Sequence, residues 1–351
     1  MRARLFRSYE DCSRVPPINP RKRKIIYTWR APWKCAHCSK DQNEDAGLES
    51  KNNHAESRNT LLGVFSLLLW SSTIAFQRSL AEVIGALTAN SYILLLGGSS
   101  SLIYTIASPE RSRKILHLPT KYVVGCGSLF VIYMVSLYSA IGLASNRQST
   151  LGVGLVNYLW PGLTLAFAVP ILKRQARASL PIGIVMGFGG VFLAAGHGEE
   201  FWSNIVGSFS SDLIPYLLAL IAALSWALYS NLARLWGSTS DGTGVPLFLV
   251  LSGSVLLVLS LIFPERTRWT SSAIVELVYM AIFPTMLAYT FWDSAMRRGR
   301  MLLLVSLSYF TPLLSMAFGA TYLGVKTGWN LWLGCAFVVL GAVICKLSVR
   351  E

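Results

Sequence analysis

The sequence predicts an all-α integral membrane protein with ten transmembrane helices, arranged as two inverted five-helix repeats. Its 351 residues are 53% hydrophobic and only 14% charged, whereas soluble domains carry about 25% charged residues. The apolar residues form unbroken runs of roughly 20, the length of helix that crosses a hydrocarbon layer about 30 Å thick. Sequence matches between the two halves are the third observation. Together these features exclude a water-soluble globule.

Residues 1–58 differ in composition from the rest of the chain and predict a disordered, basic cytoplasmic tail. They hold 13 of the 31 Lys and Arg residues and no long apolar stretch, so they do not form a secretory signal peptide. A basic arm that binds anionic lipid headgroups is a second interpretation of this segment. Cys35 and Cys38 have the spacing of half a zinc site, but no second Cys/His pair follows, so no metal and no cofactor are predicted.

The rest of the chain is predicted to form ten spans joined by short loops. The predicted spans are 60–80, 82–106, 122–144, 150–171, 179–196, 213–236, 244–263, 272–293, 301–322 and 328–346. Ionisable residues within them, such as Arg78, Arg234 and Lys346, lie near the span ends. A charge at the bilayer centre costs at least ~2.5 kcal/mol, so their placement favours these assignments.

The orientation follows from the distribution of Lys and Arg among the short loops. If both termini are cytoplasmic, the cytoplasmic side beyond the tail holds 13 of these residues and the outer side holds five. This bias is typical of membrane proteins. The net charge of +14 is therefore explained by topology, and no nucleic-acid partner is expected.

The halves 59–200 and 201–351 are predicted to be two repeats. Trp70 and Trp226 lie 156 positions apart, as do Arg78 and Arg234. Further matches, 151 positions apart, are Tyr158–Pro161 with Tyr309–Pro312, Gly183 with Gly334, and Gly190 with Gly341. Because five helices is an odd number, the second copy must be inverted relative to the first. Inverted repeats are typical of transporters, which bind substrate near the midplane between them. The glycines are expected to let helix backbones approach closely.

Three tryptophans, Trp70, Trp160 and Trp226, fall near the middle of their predicted spans. Tryptophans of membrane proteins usually lie in the headgroup belts. That interpretation suits the tryptophans predicted near span ends: Trp202, Trp269, Trp292, Trp329 and Trp332. A buried indole N–H needs a partner, so the three central residues predict a substrate cavity. Core packing is the alternative for each of them.

Two prolines at matching places in the repeats, Pro161 and Pro312, predict irregular backbone at the same depth. A proline inside a helix leaves the carbonyl four residues earlier without its hydrogen bond, here those of Asn157 and Ser308. We expect these carbonyls and the Asn157 amide to bind the ammonium and carboxylate groups of an amino acid, since irregular backbone is tolerated where it lines a cavity. Alternatively, both prolines only kink helices for packing.

No enzyme is predicted, because the four histidines lie in the tail or in loops and no phosphate-binding Gly-Lys motif is present. A sugar-phosphate carrier would need a cation at mid-depth, and the spans have none there. Asp293 is a possible coupling residue for a driving ion. The preferred interpretation is a surface pair with Arg297, four residues later.

The string Gly154–Pro161 (GLVNYLWP) closely resembles bacterial aromatic amino acid exporters of the drug/metabolite transporter (DMT) superfamily, which have the EamA-type fold. Supporting stretches are Trp70–Ser71, Phe130–Tyr133, Ser225–Tyr229 and Ser308–Pro312. The resemblance covers about residues 60–348. The chain departs from the family at Met134, where some relatives have a carboxylate, and at Asp293, where a neutral Asn is common.

This resemblance implies alternating access and efflux of phenylalanine, tyrosine and tryptophan across the bacterial inner membrane. The Lys and Arg bias predicts that both termini are cytoplasmic. It implies a cavity lined by Trp70, Tyr133, Tyr158, Trp160 and Trp226. The expected partners are a small-molecule substrate and the lipid bilayer, and a monomer is expected. Two alternatives remain: a DMT exporter of other small metabolites or cationic drugs, and a membrane receptor or scaffold that does not transport.

Overall fold

The computed structural model describes residues 55–195, 201–238 and 242–350. Apart from one two-residue strand pair, its regular structure is helical. The first helices are α1 (Ala55–Trp70), α2 (Thr73–Val83), α3 (Ala86–Ile106), α4 (Pro109–Leu116), α5 (Tyr122–Leu143), α6 (Arg147–Asn157), α7 (Trp160–Ile171) and α8 (Leu180–Ala195). The others are α9 (Phe201–Gly237), α10 (Val245–Ile262), α11 (Ser271–Met280), α12 (Ala288–Arg298), α13 (Met301–Leu307), α14 (Thr311–Leu323) and α15 (Trp329–Ser348). Strands β1 (Gln175–Ala176) and β2 (Val349–Arg350) pair antiparallel.

Among the described residues, eight helical segments are long and apolar enough to cross a membrane, and nine if α1 and α2 form one bent span. The eight are Ala86–Ile106, Tyr122–Leu143, Arg147–Ile171, Asp212–Gly237, Val245–Ile262, Ser271–Arg298, Leu303–Leu323 and Trp329–Ser348. A shorter apolar helix, Leu180–Val191, lies within the predicted fifth span. The protein is therefore a helical, multi-pass membrane protein. The count of ten spans stays a prediction, as do the repeat boundaries.

The start of the folded part differs from the predicted one. Helix α1 begins at Ala55, so the last four residues of the predicted tail, 55–58, belong to it. The rest of the predicted tail lies outside the described residues. The predicted first span is bent, because α1 and α2 meet at an angle of 40° across Ser71 and Ser72. Trp70 is the last residue before this bend.

Both prolines of the matching strings lie in the first turn of a helix, which corrects the expectation that they interrupt helices from within. Pro161 follows a break after Asn157 and lies in the first turn of α7. Pro312 follows a 3₁₀ turn and lies in the first turn of α14. A first-turn proline removes no helical hydrogen bond. The Ser308 carbonyl is not freed, because it accepts the Thr311 N–H.

Glycines bring α8 and α15 into backbone contact in a crossed pattern. A Cβ atom on Gly183 would lie 2.6 Å from the Gly341 carbonyl oxygen, and one on Gly190 would lie 2.5 Å from that of Gly334. The close packing expected at these glycines is therefore present. Gly183 thus contacts Gly341, which matches Gly190 in sequence, and Gly190 contacts Gly334, which matches Gly183. A two-fold axis between the two helices produces this pattern.

The same crossed pattern joins α3 and α10. A Cβ atom on Gly98 would lie 2.8 Å from the Val250 nitrogen, and one on Gly253 would lie 2.9 Å from the Leu95 nitrogen. Gly98 and Gly253 are 155 positions apart, as are Leu95 and Val250. Two separate helix pairs thus relate the halves of the chain in the same way.

Two arginines at matching positions hold helix ends in equivalent ways. Arg78 of α2 donates to the Ala144 carbonyl just after α5, at 2.9 Å. Arg234 of α9 donates to the Gly299 carbonyl just after α12, at 3.3 Å. The last carbonyls of a helix lack partners within it and carry partial negative charge, so a cation there is stabilising.

Candidate functional site

Trp226 of α9 lies at the centre of a cluster of aromatic side chains from five helices, and its side chain is only 2% exposed. The ring centroids around it are those of Tyr133 (4.6 Å), Tyr229 (5.0 Å), Trp70 (5.5 Å), Tyr289 (5.6 Å), Phe130 (6.0 Å), Trp160 (6.5 Å) and Trp292 (6.5 Å). These separations are the ones at which aromatic pairs attract each other. The cluster is therefore a tightly packed aromatic core in which the rings contact one another.

A cavity of about 30 Å³ opens within this cluster. Its lining includes six residues proposed from the sequence: Trp70, Tyr133, Asn157, Tyr158, Trp160 and Trp226. It also includes five residues that the sequence did not single out: Thr73, Ile74, Leu137, Tyr289 and Thr311. Ser308, the seventh proposed residue, is not part of this lining, and its hydroxyl donates to the Val305 carbonyl at 2.7 Å. Pro161 and Pro312 directly follow the lining residues Trp160 and Thr311 in the sequence.

The cavity is too small for an aromatic amino acid in this arrangement. Ligand pockets usually measure about 300–1,000 Å³, whereas about 30 Å³ admits little more than a water molecule. Binding therefore requires the surrounding rings to move apart. The bend before α2 and the breaks before α7 and α14 adjoin Trp70, Trp160 and Thr311, so three lining residues stand at points where the helices are interrupted.

Trp292 corrects one expectation from the sequence. The predicted span ends at residue 293, which predicts a headgroup-belt position for Trp292, yet its side chain is fully buried. The apolar segment extends from Ser271 to Arg298, so Trp292 lies well inside it. Its ring centroid is 5.4 Å from that of Trp160. The repeat of apolar positions at 289, 292 and 296 was the signal that would have revealed this inward face.

Trp70 is anchored by a hydrogen bond to irregular backbone. Its indole N–H donates to the Pro284 carbonyl at 3.0 Å. Pro284 lies in a π-helical segment, Ala281–Leu287, between α11 and α12. Segments of this kind are often found at functional sites. The indole partner expected from the sequence is therefore present for this tryptophan.

Asp293 and Arg297 form an ion pair next to the aromatic cluster, near the C-terminal end of α12. Arg297 Nε and Nη2 each lie 2.9 Å from an Asp293 oxygen. The other carboxylate oxygen accepts the hydroxyls of Tyr122 and Tyr229, both at 2.9 Å. Arg297 also donates to the Gly237 carbonyl at 3.1 Å. The side chains of the pair are 0% and 2% exposed, so the expected surface pair is wrong: the pairing exists, but it is buried.

In the part of the chain that the structure describes, the equivalent positions at the opposite end of the bundle do not form such an ion pair. At a repeat offset of 155 positions, Gly142 of α5 corresponds to Arg297, and Tyr138 corresponds to Asp293. A cavity of about 770 Å³ lies there instead, lined in part by Gly142, Leu143 and Glu265. The two halves of the chain thus differ in what fills their equivalent ends. Among the described residues, no group of three His, Cys, Asp or Glu side chains is arranged to hold a metal ion.

Comparison with known proteins matches two parts of the chain, residues 58–196 and 213–346, to the EamA-like transporter family. The chain is 28% identical to the aromatic amino acid exporter YddG of Escherichia coli (strain K12), over 83% of this chain and 98% of that protein. It is 29% identical to the protein of the same name from Ancylobacter novellus, over 85% and 100%. A crystal structure with 28% identity superposes with a TM-score of 0.61 and covers 83% of this chain and 97% of the other.

Proposed function

This chain belongs to the EamA-like transporter family, and on that premise we propose that it exports aromatic amino acids across the bacterial inner membrane. One observation carries the proposal: the cavity between the two halves is enclosed by the rings of Trp70, Tyr133, Trp160, Trp226 and Tyr289. Such a lining offers ring stacking and faces for a cation, each worth roughly 0.5–2 kcal/mol. Similarity to two exporters of aromatic amino acids over almost their whole length agrees with this substrate class.

The proposed mechanism is alternating access by two inverted five-helix repeats, with boundaries near 59–200 and 201–351. The crossed glycine contacts and the two separate family matches support this arrangement. The bundle end with the Asp293–Arg297 pair is closed, and the equivalent outer end holds a cavity of about 770 Å³. During export the closed end would open and the opposite end would close, so that the substrate site faces each side of the membrane in turn.

The geometry favours a closing role for Asp293 over proton coupling. Both of its carboxylate oxygens are engaged, one by Arg297 and the other by the hydroxyls of Tyr122 and Tyr229. We therefore propose that the pair ties α12 to α5 and α9 at the cytoplasmic end. The Lys and Arg bias of 13 to five supports this orientation, with both termini cytoplasmic.

Transport into proteoliposomes tests the proposed substrate class. Purified protein should take up L-tryptophan, L-phenylalanine and L-tyrosine in preference to aliphatic or basic amino acids. Trp160→Ala and Asn157→Ala should reduce that uptake at least tenfold, while Trp332→Ala, near the start of α15 and away from the cavity, should stay within twofold. Equal uptake by all three variants would show that the substrate site lies elsewhere.

The alternatives predict other results in the same assay. Preferential uptake of cationic drugs would favour a different branch of the superfamily, although none of the residues that line the cavity carries a charge to hold a cation. No uptake of any of these compounds by correctly folded protein would favour a receptor or scaffold.

A further inference from the structure

We propose that Thr73, Asn157 and Thr311 form a head-group subsite that binds the α-ammonium and α-carboxylate groups of the substrate. The inference rests on the proposed function and deepens it, since it assigns the polar half of an amino acid to named side chains. Asn157 Oδ1 would accept from the ammonium group, and the hydroxyls of Thr73 and Thr311 would donate to the carboxylate. The aromatic cluster would hold the ring.

The three side chains share three properties. Each lines the cavity of the aromatic cluster. Each is at least nine-tenths buried, with exposures of 9%, 5% and 2% in chain order. Each has a polar atom without a hydrogen-bond partner in the protein: Thr73 Oγ1, Asn157 Oδ1 and Thr311 Oγ1. Buried polar groups are nearly always paired, so three unpaired atoms on three helices around one cavity indicate a ligand. Other unpaired side-chain atoms, such as Oδ1 of Asn90 and of Asn231, belong to residues that do not line it.

The two threonines differ from other hydroxyl residues in the helices. A threonine within a helix commonly donates to the carbonyl four residues earlier, as Thr164 does to Trp160 (2.7 Å) and Thr290 does to Met286 (2.7 Å). Thr73 and Thr311 lie in or next to the first turn of a helix that follows a bend or break. The interruption leaves their hydroxyls free to face the cavity.

Substitution between the repeats makes the cavity amphipathic. Thr311 stands at the position that corresponds to Trp160, 151 positions earlier, and Thr73 at the one that corresponds to Tyr229, 156 positions later. At one pair of matching positions the second half has a hydroxyl, Thr311, where the first half has a ring. At the other pair the first half has a hydroxyl, Thr73, where the second half has a ring. Thr311, Trp160 and Thr73 all line the cavity, so these differences between the halves give the cavity both a ring and hydroxyl groups, as an aromatic amino acid has both a ring and polar groups.

Polar groups continue from this subsite in one direction. Gln77 and Ser315 lie one turn beyond Thr73 and Thr311, about 6 Å further along their helices. Both side chains are buried, and Oε1 of Gln77 has no hydrogen-bond partner in the protein. Because α2 and α14 run away from the Asp293 network, these groups extend from the subsite toward the opposite end of the bundle.

The lining also disfavours ligands that carry a net charge. Donors and acceptors at this subsite are neutral, and none of the cavity residues carries a charge. A zwitterion presents one positive and one negative group, which such a set can satisfy together. A ligand with only one of these groups leaves part of the subsite unpaired and brings an uncompensated charge into a buried site.

Competition in proteoliposomes that take up L-tryptophan tests the assignment. The competitors are L-tryptophan itself, tryptamine (which lacks the carboxylate) and indole-3-propionate (which lacks the ammonium group). The wild-type protein should bind L-tryptophan at least tenfold more tightly than either analogue. Thr73→Val and Thr311→Val should weaken L-tryptophan and indole-3-propionate about tenfold and leave tryptamine unchanged. Asn157→Leu should weaken L-tryptophan and tryptamine and leave indole-3-propionate unchanged.

Thr290→Val is the matched control, because its hydroxyl is satisfied by its own helix, and it should leave all three affinities unchanged. Variants that weaken all three competitors equally, or none, would overturn the head-group assignment while the proposed function stands. A wild-type protein that transports no aromatic amino acid would refute the proposed function, and the subsite with it.

Discussion

The Asp293–Arg297 pair permits a quantitative test, because the chain also contains an exposed pair with the same spacing. Glu110 and Lys114 of α4 form an i,i+4 contact at 2.7 Å with side chains 78% and 39% exposed. Asp293 and Arg297 form one at 2.9 Å with almost no exposure. The acidic residue comes first in both pairs, so burial is the main difference between them.

Neutralising one partner should cost far more in the buried pair. Asp293→Asn leaves the Arg297 guanidinium buried without its counter-ion, and breaking such a pair costs about 3–5 kcal/mol of unfolding free energy. Arg297→Gln leaves the carboxylate with only its tyrosine donors and should cost a similar amount. Glu110→Gln and Lys114→Gln should each leave the unfolding free energy within experimental error of the wild type, since exposed ion pairs contribute little to stability.

The double variant Asp293→Asn/Arg297→Gln separates a pair effect from simple loss of contacts. An asparagine carbonyl still accepts from Tyr122 and Tyr229, and its amide can donate to the glutamine, so no buried charge is left unpaired. We expect the double variant to regain at least ~2 kcal/mol relative to the sum of the single changes. Denaturant unfolding in detergent micelles, followed by tryptophan fluorescence, measures all of these values.

Two results would refute this reasoning. If Asp293→Asn costs no more than Glu110→Gln, the buried position of the pair does not control its energetics. If the double variant is as unstable as the two single changes combined, the destabilisation comes from lost packing and not from an unpaired charge.

Three further predictions concern packing, topology and the N-terminus. Gly334→Val places methyl groups against the backbone of α8 and should lower the unfolding free energy by about 1–3 kcal/mol. Gly328→Val, where a Cβ meets no atom within 4 Å, should be neutral in the same denaturant unfolding assay. A reporter fused after Lys114 should behave as cytoplasmic and one fused after Gly324 as external, and the reverse result for either would break the topology. A deletion that stops short of α1 should leave transport unchanged, whereas a chain that starts at Arg58 lacks the first turn of α1 and should lose stability on heating.

Much of the helical architecture was predictable from local composition. A bilayer accepts long apolar helices and excludes charges, so the positions of apolar runs and of residues such as Arg78 and Arg234 indicate the spans directly. The separation of matching tryptophans and glycines indicated the repeat. For the same reason, the depth of Trp70, Trp160 and Trp226 could be estimated from their places within the spans.

Errors arose where a span boundary or a helix rotation mattered. The predicted end of one span at residue 293 put Trp292 and Asp293 near the surface, while the segment continues to Arg298. The helices around the cavity are apolar on most of their faces, so hydropathy does not reveal which face turns inward. Thr73 and Thr311 gave no signal at all, because a threonine in a helix ordinarily satisfies its hydroxyl locally.

The sequence by itself determined that this protein is helical and membrane-spanning, and it indicated two matching halves and three central tryptophans. The tertiary structure alone decided that Trp292 and Tyr289 join those tryptophans, that Asp293 and Arg297 pair inside the bundle, and that two threonine hydroxyls are left unpaired beside a cavity. The physical reason is that hydropathy is a sum over neighbouring residues, whereas the tertiary structure brings together residues far apart in the sequence, such as Thr73 and Thr311, which lie 238 positions apart and line one cavity. They depend on how each helix is rotated about its axis and where it is interrupted.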